Sequence, residues 1–434
     1  MSAAHSALSG EERAVVRKVA WRLLPFLCLI YFIAYLDRVN VGFAALTMNQ
    51  DLGLSATAYG LGAGIFFIGY FLFEVPSNFM LKRVGARLWI ARIMVTWGLI
   101  SVAMAFVTGP TSFLVLRFLL GVAEAGFFPG MILYLTFWFP NSVRAAILGV
   151  FIIANPASTI IGAPLSTSLL GTSLFGLAGW QTMFIVEGLP AVLLGVAVLF
   201  VLCDGPAKAR WLSERERQVL QNAIARDEHL NVHSSWRAGL LSAEVWRFAA
   251  LYAALMMGVY GFGFWAPQII KSLGGLTNSQ VGLVLVIPYA GATLAMYLWA
   301  RHSDRTGERM WHLALPAFIG TAGFLYGGFA DNVYLSVVAF TLGAVGIYAT
   351  LPVFWSLPTA LLGGSAAAGG IALINSIGNL SGYIGPSVIG WLRDRTNGYA
   401  PGLLVIAASM LLAGVLGFIV SRRRPVPAHS AMAR

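Results

Sequence analysis

The sequence predicts an all-α integral membrane protein of twelve transmembrane helices in two pseudo-symmetric six-helix bundles. Composition is the first reason: of 434 residues, 58% are hydrophobic and 10% charged, whereas soluble domains carry roughly 25% charge. Patterning is the second. The apolar residues fall in about twelve runs of 18 or more, each long enough to cross a ~30 Å hydrocarbon core. The third is internal repetition. Arg83-Val84-Gly85-Ala86-Arg87 and Arg305-Thr306-Gly307-Glu308-Arg309 share Arg-x-Gly-x-Arg at one constant offset. The same offset carries Arg144-Ala145-Ala146 to Ala366-Ala367-Ala368 and Pro164 to Pro386. Two parallel copies of a six-helix unit follow, an arrangement that places substrate near the midplane between the halves. Soluble enzymes, nucleic-acid binders and secreted disulfide scaffolds are excluded by the same composition.

The spans are expected at roughly 23–48, 58–81, 88–107, 112–138, 145–170, 180–202, 246–270, 281–300, 312–329, 333–361, 367–391 and 399–421. They divide the chain into a cytoplasmic N-terminus (1–22), a first bundle (23–202), a cytoplasmic linker (203–245), a second bundle (246–421) and a cytoplasmic C-terminus (422–434). Orientation comes from charge. Most of the 28 Lys and Arg fall in the termini and the even-numbered loops, whereas the odd-numbered loops hold Lys271, Arg393 and Arg395. That is the positive-inside pattern, and Arg422, Arg423 and Arg424 after the last span fit it. The net charge of +11 is therefore a sign of topology in a multi-pass membrane protein, with both termini cytoplasmic. It is not a nucleic-acid footprint. Arg13, Arg17, Lys18 and Arg22 precede a first span too long for a signal peptide, so that helix is expected to be retained.

In the linker, Ser213-Glu214-Arg215-Glu216 reads as a capping box opening a short helix. A connector is the expected role of the segment, with a regulatory partner site as the other reading. Cys28 and Cys203 have no metal-ligand spacing and form no disulfide framework. Gly60/Gly64, Gly126/Gly130, Gly323/Gly327 and Gly378/Gly382 lie four apart, as close helix packing requires. Pro129, Pro156, Pro267, Pro352, Pro358 and Pro386 lie within spans, where bends are expected.

Charge inside a membrane is costly and marks pathways. The chain places Asp37 and Arg38 in span one and Arg117 and Glu124 in span four, with Glu74 and Glu187 nearer span ends. No His lies deep in a span, which leaves carboxylates to carry protons. Arg117 and Glu124, seven apart, share a helix face at about 10 Å. Tyr31, Tyr35 and Arg38 form an aromatic-and-cation stripe, and Asp37, rotated about 100° from Arg38, lines up with Asn40. The expected arrangement pairs Asp37 with Arg117 and leaves Arg38 to grip a carboxylate. Glu124, flanked by Ala125, Gly126 and Phe127, has the apolar surroundings of a group that binds and releases a proton. A static ion-pair network is the structural alternative for these charges, and Glu74 and Glu187 are expected to be structural.

The second half has an uncharged interior. Trp355 and Ser356 lie between Pro352 and Pro358, Asn375 and Asn379 share a helix face, and Tyr260 sits in a Gly-rich stretch as a gate or pocket candidate. These groups can stack on a ring or hydrogen-bond hydroxyls, or they serve helix packing. The first half would then handle charge and protons while the second reads the rest of the substrate. No Walker loop, His-Glu-x-x-His or Gly-x-Ser-x-Gly occurs, so no enzyme activity, cofactor or metal is expected.

Leu36-Asp37-Arg38-Val39-Asn40, Glu74-Val75-Pro76-Ser77-Asn78 and the run from Arg117 to Ala125 resemble the anion:cation symporters of the major facilitator superfamily. Ile374-Asn375-Ser376-Ile377-Gly378-Asn379-Leu380 resembles the bacterial branch for tartrate, phthalate, hydroxyphenylacetate and aldonates. The resemblance, running from about residue 20 to 420, implies proton symport of a small organic anion. It makes Asp37 and Glu124 the proton sites, with Arg117 coupled to Asp37. It makes Arg38 the carboxylate ligand, with Tyr35, Tyr70, Trp355 and Asn375 around the substrate and Asn155 as an amide contact. One departure is in the loop signature Gly-x-x-x-Asp-Arg-x-Gly. The first copy has Asn78 and Lys82 in place of Gly and Asp, and the second has Ala300 in place of Gly. An anion exchanger, a drug exporter and a non-transporting nutrient sensor are the competing readings. An exporter of cations would want an unpaired acid rather than two arginines, and a sensor would want longer termini than these.

Overall fold

The computed structural model describes residues 8–228, 242–330, 332–361 and 364–421. Residues 1–7 of the expected N-terminus, 229–241 of the linker (Arg237 included), Asp331 and the expected C-terminus 422–434 lie outside the described residues. What is described is helical, with no strand among it. The helices are α1 (Gly10–Asp51), α2 (Ala56–Val84), α3 (Ala86–Ala103), α4 (Pro110–Glu124), α5 (Phe127–Thr136), α6 (Asn141–Ile152), α7 (Ala154–Leu169) and α8 (Gly179–Val201). They continue with α9 (Glu214–Glu228), α10 (Ala243–Ser272), α11 (Asn278–Thr306), α12 (Met310–Gly327), α13 (Val333–Leu361), α14 (Gly364–Thr396) and α15 (Ala400–Ser421).

Ten continuous or nearly continuous helical stretches among the described residues are long and apolar enough to cross a bilayer. The remaining two expected spans coincide with α12 and α14. Both are helices, but His312 and Pro316 in one and Asn375, Asn379 and several Ser and Gly in the other make them less apolar. The protein is thus an all-α, multi-pass membrane protein.

Two expected single spans are interrupted. The fourth breaks between α4 and α5, and the fifth breaks between α6 and α7. In each case the restarting helix carries proline as its third residue, Pro129 or Pro156. Proline costs nothing in a first helical turn, where its missing N–H would have no intrahelical partner, but it cannot continue an existing hydrogen-bond ladder. At the first break Gly126 adopts a left-handed conformation (φ 83°), and a Cβ there would lie 2.3 Å from Ser77 Oγ. The break therefore needs glycine twice over, for its backbone and for its approach to α2.

α1 begins well before residue 23. Ser9 and Glu12 close a capping box, with Glu12 N donating to Ser9 Oγ (3.2 Å) and Ser9 N donating to Glu12 Oε2 (2.8 Å). The resulting 42-residue helix is about 63 Å long, twice the hydrocarbon thickness. Its extension packs on α9, which opens with the expected box: Glu216 N donates to Ser213 Oγ (3.2 Å) and Ser213 N to Glu216 Oε2 (2.8 Å). Lys18–Glu216 (2.7 Å), Arg215–Glu11 (2.6 Å) and Arg226–Glu12 pair the two helices. The Lys18 ammonium holds the Glu216 carboxyl below its ordinary value. Such exposed pairs contribute about 0–1 kcal/mol each and mainly set register.

The repeated loop motif is a conformational match as well as a sequence match: Gly85 and Gly307 both carry positive φ (100° and 67°). In the first copy Asp204 Oδ1 accepts from Arg87 N (3.1 Å) and packs on Gly85. In the second, Arg309 pairs with Asp304 (2.7 Å).

The chain forms two compact units, Met1–Val232 with Ala266–Val286 and His233–Trp265 with Ile287–Arg434. Within the first, Asn49 Nδ2 donates to Gln268 Oε1 (3.2 Å), and a Cβ on Gly282 would fall 2.0 Å from Thr167 Oγ1. Residues 266–286 join that unit through these contacts, although their sequence position is beyond the linker. In the second unit α12 packs on α13 and α15, and Phe262 contacts Phe324 and Phe340.

Candidate functional site

α1, α2 and α4 gather charge in the interior of the first unit. α2 and α4 approach closely because Gly121 faces the α2 backbone; a Cβ there would fall 1.9 Å from Phe66 O. That approach brings Arg117, fully buried, against two carbonyls of α2. Arg117 Nε donates to Gly62 O (3.1 Å) and Nη2 to Ala63 O (3.0 Å). Helix carbonyls have a second lone pair to offer, so the guanidinium is held without a carboxylate.

The expected Asp37–Arg117 ion pair accordingly does not form. Asp37 is turned the other way, accepting hydrogen bonds from Asn40 Nδ2 (3.0 Å) and from Ser101 Oγ on α3. Arg38 instead pairs with Glu124 at the C-terminus of α4. The physical reason is rotational. Asp37 and Arg38 are adjacent on a helix and diverge by about 100°, so one faces α3 while the other faces α4.

Aromatic rings surround the Arg38–Glu124 pair. The Arg38 guanidinium lies 6.0 Å from the Tyr35 ring, 5.5 Å from Phe66 and 5.4 Å from Tyr70. Phe66 also meets Arg117 at 5.1 Å, so its ring serves two cations. Tyr31 stacks on Phe151 (4.5 Å) and neighbours Tyr35 (6.3 Å) and Asn155. Of the residues singled out in the sequence, Tyr35, Asp37, Arg38, Tyr70, Arg117, Glu124 and Asn155 therefore share this unit.

The second unit holds the others. Tyr260 Oη donates to Asn379 Oδ1 (3.1 Å), both buried, which ties α10 to α14. Trp355 lies edge-on to Tyr252 (4.9 Å) and Phe354 (5.2 Å). Ser356 Oγ donates to its own helix at Val353 O (2.7 Å). Asn375 is half-buried one turn from Asn379.

Three contributors escaped the sequence reading. Phe66 looked like any apolar residue of a span, and Ser101 and Ser166 like ordinary helix serines. Glu187, expected to be a structural span-end residue, is buried to 1% exposure and accepts from Ser166 Oγ (2.6 Å). Glu74 is likewise buried inside α2.

A bundle of apolar helices with an ion pair and three further carboxylates, Asp37, Glu74 and Glu187, buried inside is the interior of a solute carrier, a transporter rather than an enzyme. The chain belongs to the Major Facilitator Superfamily, whose family model matches residues 27–386. It is 52% identical over 417 residues to a putative tartrate transporter of Agrobacterium vitis, covering 95% of this chain and 93% of that one. It is 42% identical over 413 residues to a quinolone resistance transporter of Acinetobacter baumannii, covering 94% of this chain and 95% of that one. Among solved structures it resembles a bacterial homolog of the human lysosomal transporter Spinster, with TM-score 0.77 at 15% identity over 97% of this chain and 100% of that one. The chain is thus related to bacterial metabolite transporters and works by the secondary, alternating-access transport of small organic solutes.

Proposed function

We propose that the protein is a proton-coupled symporter that imports a small organic anion bearing a carboxylate, of the tartrate class. The observation that carries this reading is the Arg38–Glu124 pair inside its ring of Tyr35, Phe66 and Tyr70. Arginine offers a planar fork suited to a carboxylate, and here an internal carboxylate occupies it. A substrate carboxylate competes with Glu124 for the same guanidinium. A displaced, buried Glu124 cannot keep its charge cheaply, so substrate entry and proton uptake go together. Without the proton, Glu124 reclaims Arg38 and the anion leaves.

Arg117 supplies a second, fixed positive charge that helps the unit tolerate Asp37, Glu124 and an anion at once. On this reading Asp37 and Glu124 are the proton sites. Tyr35, Tyr70 and Asn155 are the substrate-contact candidates of the first unit, and Tyr260, Trp355, Ser356, Asn375 and Asn379 those of the second, where Tyr260 donates to Asn379. The 52% identity to a putative tartrate transporter supports the substrate class. The basic even-numbered loops support twelve spans in a bacterial inner membrane with both termini cytoplasmic.

The test is uptake into proteoliposomes under an imposed inward proton gradient, across tartrate, phthalate, hydroxyphenylacetate, galactonate and glucarate, with and without an uncoupler. Accumulation of one anion that collapses with uncoupler is expected. Gradient-independent exchange would replace symport by antiport of anions. The quinolone-transporter relative favours drug export as a second reading. It predicts proton-driven efflux of a fluoroquinolone and no carboxylate accumulation.

A further inference from the structure

A second buried carboxylate system lies beside the ion pair and shares no residue with it except through neighbours on α1. α8 packs against α1, α3 and α7, and Glu187 projects from it into that packing. Ser166 Oγ on α7 donates to Glu187 Oε1 (2.6 Å). Asn40, 1% exposed, donates its Nδ2 to Asp37 Oδ1 (3.0 Å) and also lies against Glu187. Ser101, the other donor to Asp37, packs on Gly188; a Cβ there would sit 3.1 Å from Ser101 Oγ. A buried polar cluster of Ser101, Asp37, Asn40, Glu187 and Ser166 therefore spans four helices.

The chain is short of donors. Among the described residues, Glu187 Oε2 and Asn40 Oδ1 are buried and accept no hydrogen bond. Among the described residues no cation hydrogen-bonds either carboxylate: Arg38 is engaged by Glu124, and Arg117, which acts on Asp37 only from a distance, by the α2 carbonyls. Of the groups that face Glu187, Asp37 on α1 is the charged one; Asn40, Ser101 and Ser166 are neutral. Two carboxylates beside one amide donor, with no cation in hydrogen-bond contact, do not readily both carry charge in a dry interior. A neutral Glu187 brings a further O–H donor to a cluster short of donors, whereas an ionised Glu187 adds a further demand for them.

We propose that Glu187 is a further proton-holding group of this transporter, linked to Asp37 through the amide of Asn40. The link is an exclusion: with Glu187 neutral, Asn40 is left to serve an ionised Asp37, and protonation of Asp37 releases Asn40 to serve Glu187. The role in coupling rests on the symport reading, but the presence of a proton on Glu187 does not.

The two parts are tested separately. Infrared difference spectroscopy of the purified, lipid-reconstituted protein at neutral pH should show a protonated-carboxylic-acid carbonyl band that is missing from Glu187→Gln. Ser166→Ala, which keeps Glu187 but removes its donor, should shift that band and covers the case in which Glu187→Gln fails to fold. A spectrum in which neither variant alters the carbonyl region overturns the proposal outright. In proteoliposomes, Glu187→Gln should move the pH of half-maximal proton-driven uptake by about one unit, a tenfold change in proton affinity. An unmoved profile with the band present makes the proton structural and overturns the coupling role. Absence of proton-driven uptake in the unaltered protein counts against the symport reading instead, and the band then decides for Glu187 alone.

Discussion

Arg38 and Glu124, 86 positions apart in the chain, form an ion pair inside a cage of three aromatic rings. On the proposed symport reading, a substrate carboxylate and Glu124 are rivals for this one guanidinium, and coupling then needs no long relay.

On the symport reading, Glu124→Gln removes the internal competitor and the proton acceptor together. Proton-driven accumulation should fall to background, while exchange of internal for external anion continues. Uptake and counterflow assays in the same liposomes check this, and loss of both would assign Glu124 to binding rather than coupling.

Arg38→Lys keeps the charge but loses the planar fork and its stacking on Tyr35, Phe66 and Tyr70. Anion affinity should drop at least about tenfold, equivalent to about 1.4 kcal/mol. Equilibrium binding to purified protein measures it, and unchanged affinity would remove Arg38 from the substrate site.

Gly121→Ala should force α2 and α4 apart, since the added carbon would meet Phe66 O at 1.9 Å. Overpacking of this kind costs about 1–3 kcal/mol. A lower melting temperature in detergent, accompanied by weakened transport as Arg117 loses its carbonyls, is the expected outcome.

Glu308 caps α12 by accepting from Trp311 N (2.8 Å) and His312 N (3.2 Å). Burial opposes its charge, but these N–H groups and the His312 ring hold the carboxyl below its ordinary value. A depressed carboxyl stabilises the fold above its unfolded value and loses that contribution as pH falls through the folded one. Glu308→Ala should therefore cost about 1 kcal/mol at neutral pH and progressively less in acid. Melting curves against pH distinguish this from a pH-independent loss.

Much of this was legible in the sequence. The apolar runs marked the helices because only a helix satisfies its backbone in lipid. The Ser213–Glu216 box opened α9. Of the six prolines where bends were expected, Pro129 and Pro156 lie at helix breaks, whereas Pro267, Pro352, Pro358 and Pro386 lie inside continuous helices. Asp37, Arg38, Arg117 and Glu124 stood out because charge in an apolar run is rare. Their partners did not stand out. Helical periodicity says which face of α1 a residue occupies, but not which neighbour meets that face, and it suggested Asp37 with Arg117.

Composition and order along the chain thus determined a multi-pass helical transporter and its short list of buried charges, since the bilayer penalises each charge whatever its neighbours. Only the tertiary structure decided who pairs with whom. The close approach of α2 and α4 at Gly121 gave Arg117 two backbone carbonyls in place of a carboxylate. The rotation of α1 then turned Arg38 to Glu124, and turned Asp37 toward Asn40, Ser101 and the buried Glu187. Those pairings depend on contacts between helices far apart in sequence, where distance and orientation, not residue type, set the energy.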